Sequence, residues 1–393
     1  MTQKRRLLIV SGSYPNIRCG VSGHVRIIAA RTAARSDYEV AVLTSADKAV
    51  DKSAIAGAEA AGYAVYPRVA KWSAFNRRTI CSEILRLEPE VVHVQNPTAK
   101  YSGWNSWTMS AVVPLLKRMA PSVRVVVMQH DIALSQPWWR RRYRPLLKAA
   151  DAVTVSNSRD YQAVADQVIS RKKIYLTPVG SHFQIKPVKE QEKIECRRRM
   201  GMPEGDKVVV FFGFVLPGRN VDVLIEALGY LRQQGRDVHG LILGGAHPDA
   251  PNYYEKLQQQ CQRQELGEHV SWTGFASEQQ IADGLAGADV FVSLPQRGAD
   301  LRNTSIQSGI LAGLPVVTAR NERYYVDRDL DQFGCVCVQP RQVNEVAGAI
   351  AALLDEPPGA EVLAQRAALL EPERIWSKHI EMNCRAYRGE PPQ

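Results

Sequence analysis

The chain reads as an α/β protein of two doubly wound domains, each a parallel sheet flanked by helices. Its 393 residues, 45% of them apolar, exceed what one hydrophobic core ordinarily supports. Short apolar runs recur between polar stretches of helical length, once through the first half and again through the second. A proline-punctuated, charged segment at residues 181 to 206 separates the two sets.

In the first half the runs are Leu7 to Val10, Val40 to Leu43, Val91 to Val94, Val123 to Met128 and Ala152 to Val155. Each is too short and too uniformly apolar for a half-exposed antiparallel strand, so buried parallel strands with crossover helices are predicted. Pro187, Pro203 and the stretch from Lys189 to Arg199 then read as a linker followed by a short amphipathic helix. The pattern resumes at Val208 to Phe212, Leu241 to Leu243, Val290 to Leu294 and Val316 to Thr318. After Pro357, Pro358, Gly359 and Pro372, an apolar-polar pattern from Ile375 to Tyr387 predicts a last helix placed to cross back to the first domain. The expected division is an N-terminal Rossmann-like domain of residues 1–183 plus 373–393, and a C-terminal one of residues 184–372. The two are expected to face each other across a crevice.

Composition narrows the function. The seven cysteines are scattered, odd in number and without a CxxC pair, which argues against a disulfide framework or a zinc site and fits a reducing cytoplasm. Cys335 and Cys337 stand two apart in a strand-like stretch, as packed thiols do. No run approaches the ~20 apolar residues of a spanning helix. The four apolar residues after Lys4, Arg5 and Arg6 read as a first strand and not as a signal peptide. Net charge is +10, but residues 1 to 180 hold 27 Lys/Arg against 12 Asp/Glu, and the remainder 23 against 28. The first half is therefore a basic domain with an anionic partner, whether membrane surface, phosphorylated lipid or nucleic acid. The signatures of nucleic-acid modules are missing, and no nucleic acid is expected.

Ligands of open α/β sheets bind outside the carboxyl ends of the strands, so the loops there are the candidates. After the first run, Ser11 to Val25 brings glycines (Gly20 among them) that let backbone amides approach a phosphate; an ordinary βα loop would use them for turn geometry alone. It is not GxGxxG, which argues against a nicotinamide enzyme. His130 directly follows the Val123 to Met128 run and should project at the crevice rim, towards a sugar hydroxyl or a leaving phosphate oxygen. Bonded to Asp131, it would be structural instead. His24, in the first helix turn, and His93, among valines, read as core histidines. Arg219 stands where a helix begins, placed to pair bidentately with a pyrophosphate or, as a surface arginine, to be solvated. From Leu294 to Val317 the order is strand, polar loop, helix, glycine stop and strand. Asn303, Thr304 and Ser305 bring cap-type side chains to the helix start, leaving amides for a phosphate, while Arg297 and Arg302 add positive charge.

In order and spacing these segments resemble the retaining glycosyltransferases of family four, the glycosyl transferases group 1, over nearly the whole chain. Cys19-Gly-Val-Ser-Gly-His-Val25 looks like their first glycine-rich loop, and Val91 to Pro97, Gln129-His-Asp131, Ala149 to Ser156 and Pro178-Val-Gly-Ser181 follow in their usual order. Gly213 to Leu228 resembles their donor-phosphate loop, with Arg219 where a lysine is usual, and Gly274-Phe275, Ala288 to Ser293 and Gly313 to Val317 complete the pattern. The resemblance implies the GT-B fold, a nucleotide-diphosphate-sugar donor of UDP or GDP type, transfer with retention, and neither metal nor other cofactor. It assigns donor binding to Gly20, Gly213, Phe214, Arg219, Arg297, Asp300, Arg302, Asn303, Thr304, Ser305 and Ser308, and catalysis to His130, Asp300 and Arg219. Two features depart from the family. Its two glutamates, with seven residues between them, become Asp300 and Ser308, which weakens ribose recognition or reroutes it through Gln307. Its arginine after the second-domain glycine becomes Phe214.

On this reading the donor's diphosphate leaves towards Arg219, Arg302 and the amides near Thr304 and Ser305, while His130 contacts the sugar. The acceptor, a glycan or lipid-linked hydroxyl, is expected against the first domain. There Trp138, Trp139, Arg140, Arg141 and Arg142, joined by Lys71, Trp72, Arg77 and Arg78, have the composition of a face that docks on an anionic bilayer. A solvated basic helix with inward tryptophans is the alternative. The expected location is the cytoplasm or the inner face of the cell membrane. A catalytically silent homologue that binds a sugar nucleotide or scaffolds a pathway, and an epimerase of similar fold, are the competing classes.

Overall fold

The computed structural model describes residues 4–14, 19–47, 52–167, 170–322 and 329–392. It divides into two units, Met1–His182 with Arg374–Gln393, and Phe183–Glu373.

The first unit is a parallel sheet of β1 (Arg5–Val10), β2 (Tyr38–Ser45), β3 (Ala64–Val69), β4 (Val91–Asn96), β5 (Arg124–Gln129), β6 (Ala152–Val155) and β7 (Ile174–Leu176), in the order β3-β2-β1-β4-β5-β6-β7. Leu7 pairs with Val40 on one side and Val91 on the other, so β1 and β4 flank the point where the strand order reverses. The β-branched runs explain the central position: every residue of β4 is buried, as expected of a strand covered on both faces. One face packs Ile80, Ile84, Met109, Val112, Leu116 and Leu146 from the flanking helices. The other packs Val25, Ile28 and Ala29 together with Trp376, Ile380 and Tyr387. These last three belong to the terminal helix Pro372–Arg388, whose buried Trp376, Ile380, Asn383, Cys384 and Tyr387 recur at helical spacing. The last helix thus covers the first sheet. Arg124 Nε donates to the carbonyl of Ala386 at 2.6 Å, and Trp376 Nε1 to that of Ser181 at 2.9 Å.

The second unit repeats the plan with β8 (Lys207–Phe212), β9 (Val238–Leu243), β10 (Val270–Trp272), β11 (Val290–Ser293), β12 (Val316–Ala319) and β13 (Val336–Val338), ordered β10-β9-β8-β11-β12-β13. Here β8 and β11 flank the reversal. Val209, Phe211, Ile242, Val292 and Val317 meet the helices Val221–Gln233 and Val343–Asp355 in its core. The charged stretch after the linker forms the helix Glu190–Met200. Asp289 receives both Arg197 and Lys193 from that helix, at 2.6 and 2.7 Å, and Arg197 Nε also donates to Gly287 O at 2.8 Å.

Candidate functional site

In the second unit the site starts from two glycines. Gly213 ends β8 at φ 141 and Gly244 ends β9 at φ 155. A Cβ on Gly244 would lie 1.9 Å from the carbonyl oxygen of Gly213, so these strand ends close on each other in a way that excludes any side chain. A Cβ on Gly213 would lie 3.3 Å from Ser305 Oγ, which sets the start of the helix Thr304–Leu311 over the end of β8. The turn Pro217–Arg219 leads into Asn220, a fully buried residue at φ 50. Its amide donates to the carbonyl of Leu294 at 2.8 Å and its Oδ1 accepts from Arg341 at 3.1 Å. The N–H of Gln296 adds a bond to Gly218 O at 3.0 Å. The β8 and β11 loops are therefore locked together, with Arg219 half-buried beside the N-terminus of Val221–Gln233. Asn220 and Arg341 were not legible as site residues. Their signal is a left-handed asparagine at a helix N-cap, which appears only with the backbone.

Along the β11 loop, Arg297 is exposed. Asp300 and Arg302 are paired with each other: Nη2 and Nε lie 2.7 and 3.1 Å from Oδ2, and the Arg302 N–H donates to Oδ1 at 2.9 Å. Asn303 caps the following helix by accepting the N–H of Ser305 at 3.1 Å, so that amide is already engaged. Thr304 opens the helix. Ser308 is fully buried and donates to Thr304 O at 2.7 Å, which turns its hydroxyl along its own helix. Gln307 is buried too, its amide donating to Leu301 O. The Phe214 ring packs edge-on against His247 at 5.1 Å and Phe275 at 6.1 Å, apolar surface in place of a cation.

In the first unit Gly20 opens the helix Gly20–Ala33 and is exposed, with nothing within 4 Å of an added Cβ. Close approach occurs at Gly12 instead, where a Cβ would meet Thr98 Oγ1 at 2.7 Å. His130 follows β5, its N–H bonded to Asn96 O at 2.7 Å and its Nε2 3.0 Å from Gln95 Oε1. Behind it His24, His93 and His379 are buried, with the His24 ring 5.4 Å from His130 and 5.0 Å from His379. Burial pushes His93 down to about 3, His379 to about 4, and His24 well below the ordinary imidazole range, so all three are neutral near pH 7. Among the described residues no group of three or more His, Cys, Asp or Glu is arranged to hold a metal ion.

The basic aromatic face needs correction. Trp72 is only 4% exposed and donates to Ser45 Oγ at 2.7 Å, so it belongs to the interior. Arg142 is likewise 4% exposed, with its guanidinium 3.5 Å from the centroid of Trp139 and its Nη1 donating to Gly103 O at 3.2 Å. This cation-π stack is internal structure, because a guanidinium taken from water keeps its charge best over an aromatic face and a carbonyl. Trp138 and Arg141 do stay exposed, as do Lys71, Arg77 and Arg78. Phe75, Trp104 and Trp107, which composition did not single out, are exposed as well. Among the described residues no helix is long and apolar enough to cross a membrane.

Two Rossmann-like units, the second with two helix N-termini gathered at its reversal point, define the class as GT-B. Residues 206–356, all within the second unit, match the family model described as Glycosyl transferases group 1. The chain is 29% identical over 136 residues to the D-inositol 3-phosphate glycosyltransferase of Jonesia denitrificans, covering 34% of this chain and 31% of that one. It is 26% identical over 240 residues to the alpha-D-kanosaminyltransferase of Streptomyces kanamyceticus, covering 59% and 58%. The matched regions thus span less than two thirds of these relatives. The crystal structure of Anabaena HepE in complex with UDP and glucose superposes with a TM-score of 0.73 at 16% identity, covering 97% of this chain and 99% of that one. That likeness establishes the fold.

Proposed function

We propose that the protein is a retaining, metal-independent glycosyltransferase that moves a sugar from a nucleoside-diphosphate sugar of UDP or GDP type to an acceptor hydroxyl in glycan or glycolipid synthesis. The observation that carries this is the glycine junction of β8 and β9, with the helix Thr304–Leu311 starting over it and Arg219 in the turn before the helix Val221–Gln233, inside the segment that matches the family. The names of the relatives, and the UDP and glucose bound to HepE, support the same reading.

The donor's diphosphate lies against Gly213, Arg219 and the start of Thr304–Leu311, where backbone amides and helix dipoles favour an anion. Arg302 exchanges its bond to Asp300 for one to phosphate, which releases the Asp300 carboxylate to accept sugar hydroxyls. His130 contacts the sugar. The acceptor oxygen forms its bond to the anomeric carbon on the face from which the diphosphate departs, and its proton passes to the departing phosphate oxygen. Arg219 and the helix N-termini stabilise the charge that builds there. The exposed Phe75, Trp104, Trp107 and Trp138, with Lys71, Arg77, Arg78 and Arg141, rest on the anionic inner face of a bilayer and bring the acceptor to the first unit. Replacing Arg219 by Ala is expected to lower turnover by about 10²-fold or more, the scale of losing one transition-state donor, with the melting temperature unchanged. Near-normal turnover would reject the assignment. A wild-type protein that bound donor and formed no product would instead be a silent homologue.

A further inference from the structure

We infer that Gln95 is the positioning residue for His130, as the central link of a buried relay from Tyr387 through His93 and Gln95 that holds the His130 proton on Nε2. Tyr387 Oη lies 2.7 Å from His93 Nδ1, Gln95 Nε2 lies 3.3 Å from His93 Nε2, and Gln95 Oε1 lies 3.0 Å from His130 Nε2. Tyr387, His93 and Gln95 are each fully buried, whereas His130 is half-buried, so the relay starts in the core and ends at the only member open to a ligand.

The proton order follows from chemistry. A carboxamide nitrogen only donates and its oxygen only accepts. The Gln95 amide donates to His93 Nε2, which must be unprotonated, and the proton of neutral His93 therefore sits on Nδ1, facing Tyr387. Burial keeps His93 neutral, at about 3, as this arrangement requires. At the other end Gln95 Oε1 accepts, so His130 Nε2 carries its proton and Nδ1 is the lone-pair nitrogen. The opposite orientation of the Gln95 amide would reverse both tautomers, placing the proton of His93 on Nε2 and that of His130 on Nδ1, so the two orders give different imidazole spectra. The consequence is selectivity. A neutral imidazole with its lone pair on Nδ1 accepts from a sugar hydroxyl, and it has no proton there to offer a phosphate oxygen. This catalytic meaning rests on the proposed transferase function. The wiring does not.

The test is long-range ¹⁵N–¹H correlation of imidazole-labelled intact protein at pH 7.5, with resonances assigned by His93→Gln and His130→Gln. The expected spectra show the Nδ1–H form for His93 and the Nε2–H form for His130. Gln95→Leu, which cannot bridge the rings, should convert His130 to an exchanging mixture while His379, bonded to the carbonyl of Pro178 at 2.9 Å, keeps its pattern. Gln95→Glu has the same shape and accepts at both ends. It should move the His93 proton to Nε2 and raise the titration midpoint of His130, and it stands in if the leucine variant folds poorly. With a productive donor, Gln95→Leu should lower kcat/KM about tenfold, the scale of one hydrogen bond made in the transition state. An Nδ1–H form of His130 in the wild type, or a His130 tautomer indifferent to Gln95→Leu, overturns the inference. Since the spectra need no donor, they decide the relay whether or not transfer is observed.

Discussion

Acidification is the perturbation that most directly probes the interior of the first unit. His24, His93 and His379 are 3%, 0% and 0% exposed, and burial holds all three below the ordinary value of 6.5. The unfolded chain takes up protons at these sites as pH falls through 6.5, while the folded chain does not until about 4 for His379 and about 3 for His93. Stability is therefore full above pH 6.5 and drains away across the window down to about 3. Between pH 7 and pH 5 each such histidine removes about 2 kcal/mol, and His182, which burial also lowers to about 4, adds to the loss, so the total is comparable with the whole stability of an ordinary domain. Urea unfolding at the two pH values, followed by tryptophan fluorescence, measures this, because six of the seven tryptophans lie in the first unit. His379→Gln, which keeps a donor for the Pro178 carbonyl, should reduce the loss by about 2 kcal/mol. An unfolding midpoint independent of pH between 7 and 5, or an equal loss in that variant, would refute the buried neutral cluster.

Other outcomes follow from the same geometry. Gly244→Ala sets a Cβ against the Gly213 carbonyl at a φ that side chains avoid, and should cost about 2–4 kcal/mol in unfolding free energy while weakening donor binding together with the fold. Trp104→Ala with Trp138→Ala should abolish co-sedimentation with vesicles containing anionic lipid and leave turnover on a soluble acceptor analogue intact. Binding of the wild type to neutral and anionic vesicles alike, or to neither, would remove the proposed docking face.

The central strands were legible because they are buried on both faces, so β-branched runs such as Val91 to Val94 and Val208 to Val210 carry no competing polar pattern. The four strands that were not read as apolar runs, β3, β7, β10 and β13, are the four sheet edges. Each is half-covered, as Ala64–Val69 shows with Pro67 and an exposed Arg68, a composition an edge tolerates and an interior strand does not. The loops that carry Arg219, Arg297 and Asn303 were visible from their place after strands. What those side chains touch was not. The pairing of Asp300 with Arg302, the burial of Ser308 and the stacking of Arg142 on Trp139 depend on backbone direction over a few residues, which residue type does not specify. Gln95 and Tyr387 are 292 positions apart and meet through His93 only because the last helix returns to the first sheet.

The most direct measurement of the central claim is a thermal-shift titration of wild type and Arg219→Ala with UDP-, GDP- and ADP-sugars. A ligand that binds only the native state stabilises it by about 2.7 kcal/mol at a hundred times its Kd. The account predicts that a UDP- or GDP-sugar raises the melting temperature of the wild type, and that Arg219→Ala, melting alike without ligand, loses most of that rise. No shift with any of the three in the wild type, or an undiminished shift in the variant, would contradict a donor site built on the β8 and β11 loops.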